Sequence, residues 1–318
     1  MKTRALNPIF LKKFSTDNEL KKILTIVKND NDLMMCLRGD YVSIYYKSLQ
    51  ILKIDENIKF YIDANYKVNP ENYNGCWEKY FEEAKSTLDN YGEAEKLEKE
   101  VQQLIAKENN CGRKSCETDY YIFDIEYAQG EYDGGRFDAM AVCWPSGNSR
   151  SSGKDLQLAL IEIKYAEGAI SGECGVSDHY RSVTKFLDAI NNNGEEKELF
   201  YNDIEEVIRQ LKKLGLLVVL TADGKTKNEH EITISRTQKP QLIFALANYS
   251  TNATCLDTEL NEIEKFNREY EKENRQIPFE LLFATSPFIG YGLYKKCMLN
   301  KNEVLEMLLK KGKTKCQK

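Results

Sequence analysis

The spacing of apolar and polar residues divides the N-terminal part of the chain into a helix followed by short strands. Apolar residues recur every three or four positions from about 17 to 28, which predicts a helix. Thr16 and Glu19 have the spacing of a capping box at its start. Residues 33–62 hold short runs of β-formers between turn residues, typical of a β-meander. We therefore expect residues 1–75 to form an accessory unit that is rich in β-structure.

The rest of the chain, residues 76–318, alternates helical and strand patterns. LEKEVQQLIAKENN has one apolar stripe and predicts a helix. Three strand-like runs joined by hairpin-length linkers follow, at 120–127, 136–144 and 156–165. The later elements are helices from about 178, capped by Ser177, and at about 203–214 and 257–274, with strands at 241–249 and 279–286. This order predicts an α/β protein with a mixed central sheet, an antiparallel meander and parallel right-handed crossovers.

Charged residues interrupt the three meander strands near one end of each. They are Asp124, Glu126, Arg136, Asp138, Glu162 and Lys164. In an up-down-up meander, the end of the first strand, the start of the second and the end of the third lie at one edge, so these charges are expected to converge. Buried charges are costly unless they are paired or bound to a metal, and the cluster therefore indicates a site.

The kinds of residue in this cluster suggest a particular chemistry. Clustered carboxylates without His or Cys favour a hard cation such as Mg²⁺ or Mn²⁺, with Ca²⁺ as an alternative. A lysine beside them can place positive charge on a phosphate or help to activate water. With only two histidines in the chain and no second Cys/His pair at finger spacing, a structural zinc site is not expected.

The order of elements and the charged positions resemble the PD-(D/E)XK nuclease superfamily, which has the restriction-endonuclease-like fold. That superfamily has a helix, a three-stranded meander with an Asp and then a Glu-x-Lys, a further helix and a parallel strand. Asp138 in RFDAMAV and the Glu-Ile-Lys triplet at 162–164 match this pattern, and the resemblance covers roughly residues 95–250. Phe137 stands in place of the superfamily's Pro, a position that varies widely there. The resemblance does not explain the N-terminal meander.

Other Glu-x-Lys triplets show that context carries this assignment. Triplets at 83–85 and 195–197 also match, but they lie in polar, helix-like or loop sequence. Only the triplet at 162–164 ends an apolar strand that follows an Asp-bearing strand. The alternative is a surface Glu-Lys pair on an exposed strand end, or a family member that keeps the fold without the activity.

The resemblance implies a role for each matching residue. Asp138 and Glu162 would bind the divalent metal, together with the backbone carbonyl of Ile163. Lys164 would orient or deprotonate the attacking water and stabilise charge on the phosphate. Glu126 is a candidate fourth carboxylate, with an ion pair to Arg136 as the alternative.

Many superfamily members add a Glu from the first helix. Here Glu98 and Glu100 flank the apolar stripe of that helix and Glu108 lies within it. Glu100 is retained as a supporting candidate, and solvated helix charges are the alternative for all three. His179, in the first turn of the next helix, could touch the scissile phosphate or be a hydrogen-bonded core histidine.

Candidate phosphate contacts are Arg113, Lys114, Arg181 and Lys185, for which isolated surface cations are the alternative. The chain has 45 Lys and Arg against 50 Asp and Glu, a formal net charge of −5, so no global basic charge indicates nucleic acid. A local basic groove remains compatible with this balance.

The sequence holds neither a signal-peptide pattern nor a run long enough for a membrane span, so a cytoplasmic protein with nine reduced cysteines is expected. The predicted function is metal-dependent hydrolysis of nucleic acid, DNA ahead of RNA, by a monomer or homo-oligomer. Two alternatives stay open. One is an inactive nucleic-acid-binding or assembly module, and the other is a metal-dependent phosphohydrolase acting on small substrates.

Overall fold

A computed structural model shows a mixed α/β protein with two β-sheets. One sheet has four antiparallel strands and the other has six strands of mixed direction. The structure describes residues 2–62, 68–90, 97–110, 118–128, 130, 134–145, 153–217, 231–249, 254–285 and 291–307. The expectation of an α/β protein with a mixed central sheet and an N-terminal β-rich part is confirmed at this level.

The four-stranded sheet follows two helices at the start of the chain. Its elements are α1 (Pro8–Thr16), α2 (Asn18–Asn29), β1 (Leu33–Leu37), β2 (Tyr41–Tyr46), β3 (Leu49–Asp55) and β4 (Phe60–Tyr61), with the strands in sequential order. The capping box expected at Thr16 is wrong, because Thr16 ends α1. Asp17 caps α2 instead, and its Oδ1 accepts the N–H groups of Glu19 at 2.9 Å and Leu20 at 3.0 Å.

Helix α3 (Trp77–Asp89) lies against the four-stranded sheet and its preceding helices. The Tyr80 hydroxyl donates to the backbone carbonyl of Ile51 at 2.5 Å, and Lys85 forms an ion pair with Asp30. A boundary between two units at residue 75 stays a prediction, although these contacts of α3 are with the N-terminal sheet and helices.

The six-stranded sheet has the order β10-β9-β8-β7-β6-β5. Its strands are β5 (Tyr120–Ala128), β6 (Arg136–Cys143), β7 (Gln157–Tyr165), β8 (Gln241–Ala247), β9 (Glu280–Thr285) and β10 (Leu299–Asn300). β5, β6 and β7 form the predicted antiparallel meander. β8 pairs parallel to β7 and β9 pairs parallel to β8, which confirms the parallel connections expected from the sequence.

The helices around this sheet are α4 (Leu97–Asn110), α5 (Val176–Asn191), α6 (Gly194–Leu214) and α7 (Cys255–Lys272). Two helix starts differ from the expectation. Gly175, not Ser177, is the N-cap of α5, because the Ser177 N–H is taken by the Glu259 carboxylate at 2.8 Å. α6 begins well before 203, because the Asn193 side chain caps the helix by accepting two backbone N–H groups.

Both faces of the six-stranded sheet are buried, in keeping with its continuous apolar strands. Leu160 and Phe244 belong to the core on the side of α5, α6 and α7. Ile161 and Ile243 belong to the core on the side of α4. Polar side chains on β7 must therefore lie under a helix unless they are close to the strand end.

A buried ion pair joins the two sheets. Arg38, which follows β1, pairs with Asp124 of β5, and both side chains are almost fully buried. The Arg38 guanidinium also donates to the carbonyl of Ile125 at 2.6 Å. The N-terminal sheet is thereby held against the edge strand of the central sheet.

Candidate active site

Asp138 and Glu162 lie side by side on adjacent strands. β6 and β7 pair with Ala139 opposite Ile161, so the next positions outward, 138 and 162, face each other and share a side of the sheet. Asp138 Oδ2 accepts the backbone N–H of Ile163 at 2.7 Å, which fixes its carboxyl over β7. The meander thus brings together the two carboxylates that the sequence pattern selected.

Burial strongly perturbs both carboxyl groups. It raises the pKa of Asp138 to about 8, the nearby charge of Glu162 acts in the same direction, and the hydrogen bond from Ile163 opposes the rise. Burial also raises the pKa of Glu162 to about 8, against the Lys164 cation and a hydrogen bond with Asp138, which both lower it. Two acids this close titrate as a pair, and they retain a proton at neutral pH in the absence of a cation.

Lys164 is buried near the end of β7, on the same side of the sheet as Glu162. Its ammonium donates to the backbone carbonyl of Cys174 at 2.8 Å. Its positive charge lowers the pKa of both Asp138 and Glu162. The lysine is therefore close enough to the carboxylates to influence them, and the loop before α5 holds its tip.

His179 also belongs to this site. Its Nδ1 lies 2.9 Å from Oε2 of Glu162, and about a quarter of its side chain is exposed. Burial and the positive charge of Lys164 lower the pKa of His179 to about 4, so the ring is neutral at physiological pH. The histidine thus contacts a candidate metal ligand, which is more than a core hydrogen bond.

Glu98, at the start of α4, is the glutamate of that helix that influences the site. Its negative charge raises the pKa of Asp138, Glu162 and His179. Glu100, the supporting candidate from the sequence, instead forms an ion pair with Lys47 at 3.4 Å.

Gln102 lies one helical turn after Glu98 and donates to the backbone carbonyl of Asp138. The (i, i+4) spacing of Glu98 and Gln102 puts both on one face of α4. That spacing was the available sequence signal for this face, and the apolar stripe drew attention away from it.

Three other charges of the predicted cluster are arranged differently. Asp124 is buried against Arg38, as described above. A bulge in β5 after Ile122 changes the register, so simple alternation along that strand does not hold. Glu126 has a positive φ of 52° and pairs with Lys99 at 3.1 Å, not with Arg136.

Arg136 is exposed at the first position of β6, and its charge lowers the pKa of Glu162. Of the candidate phosphate contacts, Arg181 lies 3.6 Å from both Asp178 and Glu262, and Lys185 is exposed on α5. Arg113 and Lys114 lie outside the described residues. The exposed positive charge nearest to the carboxylates in sequence and strand position is thus Arg136.

The donor set for a cation consists of few atoms. Within the described ranges, no group of three or more His, Cys, Asp or Glu residues is arranged so that it could hold a metal ion. The candidate donors are the carboxylates of Asp138 and Glu162 with the backbone carbonyl of Ile163. Oε1 of Glu162 is buried and has no hydrogen-bond partner among the described residues. A buried oxygen in this state is costly, and a cation would satisfy it.

Comparison with protein-family models, with curated proteins and with solved structures found no match for this chain. In the part of the chain that the structure describes, no helix has both the length and the apolar character needed to cross a membrane. The assignment of a function therefore depends on the fold and on the chemistry of the site.

Proposed function

We propose that this protein is a metal-dependent nuclease of the restriction-endonuclease-like type that hydrolyses phosphodiester bonds in nucleic acid, DNA in preference to RNA. The observation that carries the proposal is the Asp138–Glu162 pair on adjacent meander strands, with Oε1 of Glu162 buried and unpartnered. The order of helix, antiparallel meander, helix and parallel strand supports the same assignment.

The chemistry of the donor set fits Mg²⁺ or Mn²⁺. Carboxylate and carbonyl oxygens are the ligands these hard cations prefer, and Asp138, Glu162 and the Ile163 carbonyl would hold the ion. When bound, such a cation polarises the phosphate and lowers the pKa of a water molecule. It would also remove the cost of two neighbouring buried negative charges.

The chain's own residues act on the substrate and on the water. Lys164 supplies positive charge beside the carboxylates, where it stabilises charge on the phosphate. Arg136, exposed at the start of β6, contacts the nucleic-acid backbone. His179 holds Glu162 in position through its Nδ1. Each role needs only a small movement from the described geometry.

One observation favours the inactive binding module as a second candidate. The Lys164 ammonium is occupied by the carbonyl of Cys174, and Oε2 of Glu162 is occupied by His179. A site that kept these contacts in the presence of nucleic acid would bind without cleaving. The same fold can carry either function.

Cleavage assays with matched variants test the proposal. The purified protein is incubated with DNA, RNA and a nucleotide in Mg²⁺ or Mn²⁺, and Asp138→Asn and Lys164→Ala are compared with wild type. Glu195→Gln is the control, because Glu195 begins the Glu-x-Lys triplet on the exposed surface of α6. Both site variants should lose cleavage and keep the wild-type circular dichroism, while the control should cleave normally.

Other results would support the other candidates. Metal-independent DNA binding without product would indicate the inactive module. Turnover of the nucleotide with intact polymers would indicate a small-substrate phosphohydrolase. Cleavage that persists at the wild-type rate in both site variants would contradict the assignment of these residues.

A further inference from the structure

A cavity of about 290 Å³ lies between the N-terminal segment, the four-stranded sheet and the end of β5. Its lining includes Lys2, Arg4, Arg38, Tyr41 and Ala128. Three of the lining side chains are cationic and none is acidic. A concave surface of this composition fits an anionic group, and its volume is sufficient for a phosphate with an attached sugar.

Arg4 is held in this cavity by contacts on both sides. Its backbone N–H donates to Asp203 at 2.7 Å, and its backbone carbonyl accepts the N–H of Gly39 at 2.8 Å. Its guanidinium donates to the carbonyl of Ala128 and lies 4.4 Å over the Tyr127 ring. That single described side-chain hydrogen bond uses one of five guanidinium N–H groups, so the fixed side chain retains donors for a ligand.

The other two cations contribute differently. The Lys2 ammonium lies 3.4 Å from Asp40, and both side chains are largely exposed. An exposed pair of this kind has little net stability, so the lysine can exchange its partner for a phosphate at small cost. Arg38 is committed to Asp124, and it contributes mainly to the shape of the cavity. Lys2 and Arg4 are therefore the cations available for binding.

The cavity lies at the same edge of the central sheet as the candidate active site. Ala128, in its lining, pairs with Arg136 at the start of β6, and Asp138 is two residues further along that strand. Two residues of strand span about 7 Å, and neighbouring strands lie about 5 Å apart. A nucleic-acid strand of a few nucleotides can span this separation.

We infer that this cavity binds a backbone phosphate of the nucleic-acid strand whose scissile phosphate lies at Asp138 and Glu162. This inference rests on the proposed function and adds a role for the N-terminal part of the chain. Contacts of this type position a strand without reading its sequence. The site would therefore increase affinity for a polymer and leave mononucleotide hydrolysis unaffected.

The test measures binding of a fluorescein-labelled single-stranded DNA of about 16 nucleotides, a length within the site sizes of strand-binding folds, to the full chain in EDTA, where metal-dependent cleavage is absent. Lys2→Gln and Arg4→Gln remove the two available cations, and Arg4→Lys retains the charge. Lys12→Gln is the matched control, because Lys12 is exposed on α1 and does not line the cavity. Since Lys2 is exposed, its variant keeps the test valid if Arg4→Gln is unstable.

Each of Lys2→Gln and Arg4→Gln should weaken binding by about threefold to tenfold and reduce the salt slope of log Kd by about one. Arg4→Lys should recover most of the affinity, and the control should match wild type. Inorganic phosphate that competes only at millimolar concentration would agree with a polymer site. Equal DNA affinity for wild type and both Gln variants would overturn the inference.

Two further outcomes separate this inference from the nuclease proposal. Equal DNA affinity of the Gln variants, with cleavage that depends on Asp138, would remove the cavity and leave the nuclease. A wild-type protein that binds phosphate at the cavity and does not bind or cleave DNA would contradict both proposals.

Discussion

Nδ1 of His179 lies 2.9 Å from Oε2 of Glu162, so the first turn of α5 fixes a carboxylate that projects from β7. The other oxygen of Glu162 has no partner among the described residues. One oxygen is thus oriented by the protein, and the second is directed into the site. A ligand that is held in this way binds a metal more tightly than a freely rotating one.

His179→Asn and His179→Gln should differ in metal binding. The Asn amide nitrogen occupies nearly the position of Nδ1 and can still donate to Glu162, whereas the longer Gln amide corresponds to Nε2. We expect Asn to keep Mn²⁺ affinity within about threefold and Gln to lose about 10-fold to 100-fold. Titration calorimetry measures both. Equal losses in the two variants, with unchanged thermal unfolding, would show that the contact does not orient Glu162.

The metal-free protein should become less stable as pH rises. The pKa of Asp138 and that of Glu162 are both raised to about 8 by burial, whereas the unfolded chain loses these protons near 3.8 and 4.5. Their contribution is complete below the unfolded pKa values and is lost as pH rises through about 8. Urea unfolding in EDTA at pH 5 to 9 measures it. The double variant Asp138→Asn/Glu162→Gln should lack this component, and an identical pH profile would contradict it.

Metal binding should follow the opposite trend with pH. A cation replaces the protons that the pair holds, so Mn²⁺ affinity should rise from pH 6 to about pH 8 and then level off. Calorimetry in two buffers with different ionisation enthalpies should show proton release at pH 7. Binding with no proton release at pH 7 would mean that the carboxyls are already ionised.

The Arg38–Asp124 pair should be important for stability. Both side chains are almost fully buried, so Arg38→Met leaves an unpaired buried carboxylate and should cost about 3–5 kcal/mol in the free energy of unfolding. The double variant Arg38→Met/Asp124→Leu should recover most of this loss. Lys47→Gln, which breaks the more exposed pair with Glu100, should cost under about 1 kcal/mol. A double variant as unstable as the single one would refute the explanation.

Glu98 and Glu100 should behave differently although they are two residues apart on α4. The charge of Glu98 raises the pKa of His179, so Glu98→Gln should lower that pKa below about 4. Glu100→Gln should leave it unchanged, because Glu100 pairs with Lys47. NMR titration of the imidazole signals measures this, and the chain has only one other histidine to assign. The same shift in both variants would contradict the placement of Glu98.

Strand and helix patterns predicted the fold well where packing agrees with local periodicity. α4 spans 97–110, as its stripe of Val101 and Ile105 indicated, and the three meander strands agree to within a residue or so at each end. The start of α6 was missed because its first turns are polar and are stabilised by the Asn193 cap. Such turns show little hydrophobic periodicity, and only capping chemistry indicates them.

The candidate site was predictable in its centre and not at its margins. Asp138 and Glu162 meet because the antiparallel register of β6 and β7 follows directly from alternation along the strands. Asp124 could not be placed, because its partner Arg38 is 86 positions earlier and a bulge alters β5. Contacts between distant segments of this kind leave no local pattern in the sequence.

The most direct test of the central claim is titration calorimetry with Mn²⁺ on wild type, Asp138→Asn and Glu162→Gln, each checked by circular dichroism, with Glu195→Gln as the control. We predict one site in wild type and in the control, and none in either folded site variant. Equal Mn²⁺ binding by all four proteins, or none by wild type even with DNA present to supply phosphate oxygens, would contradict a metal centre at Asp138 and Glu162.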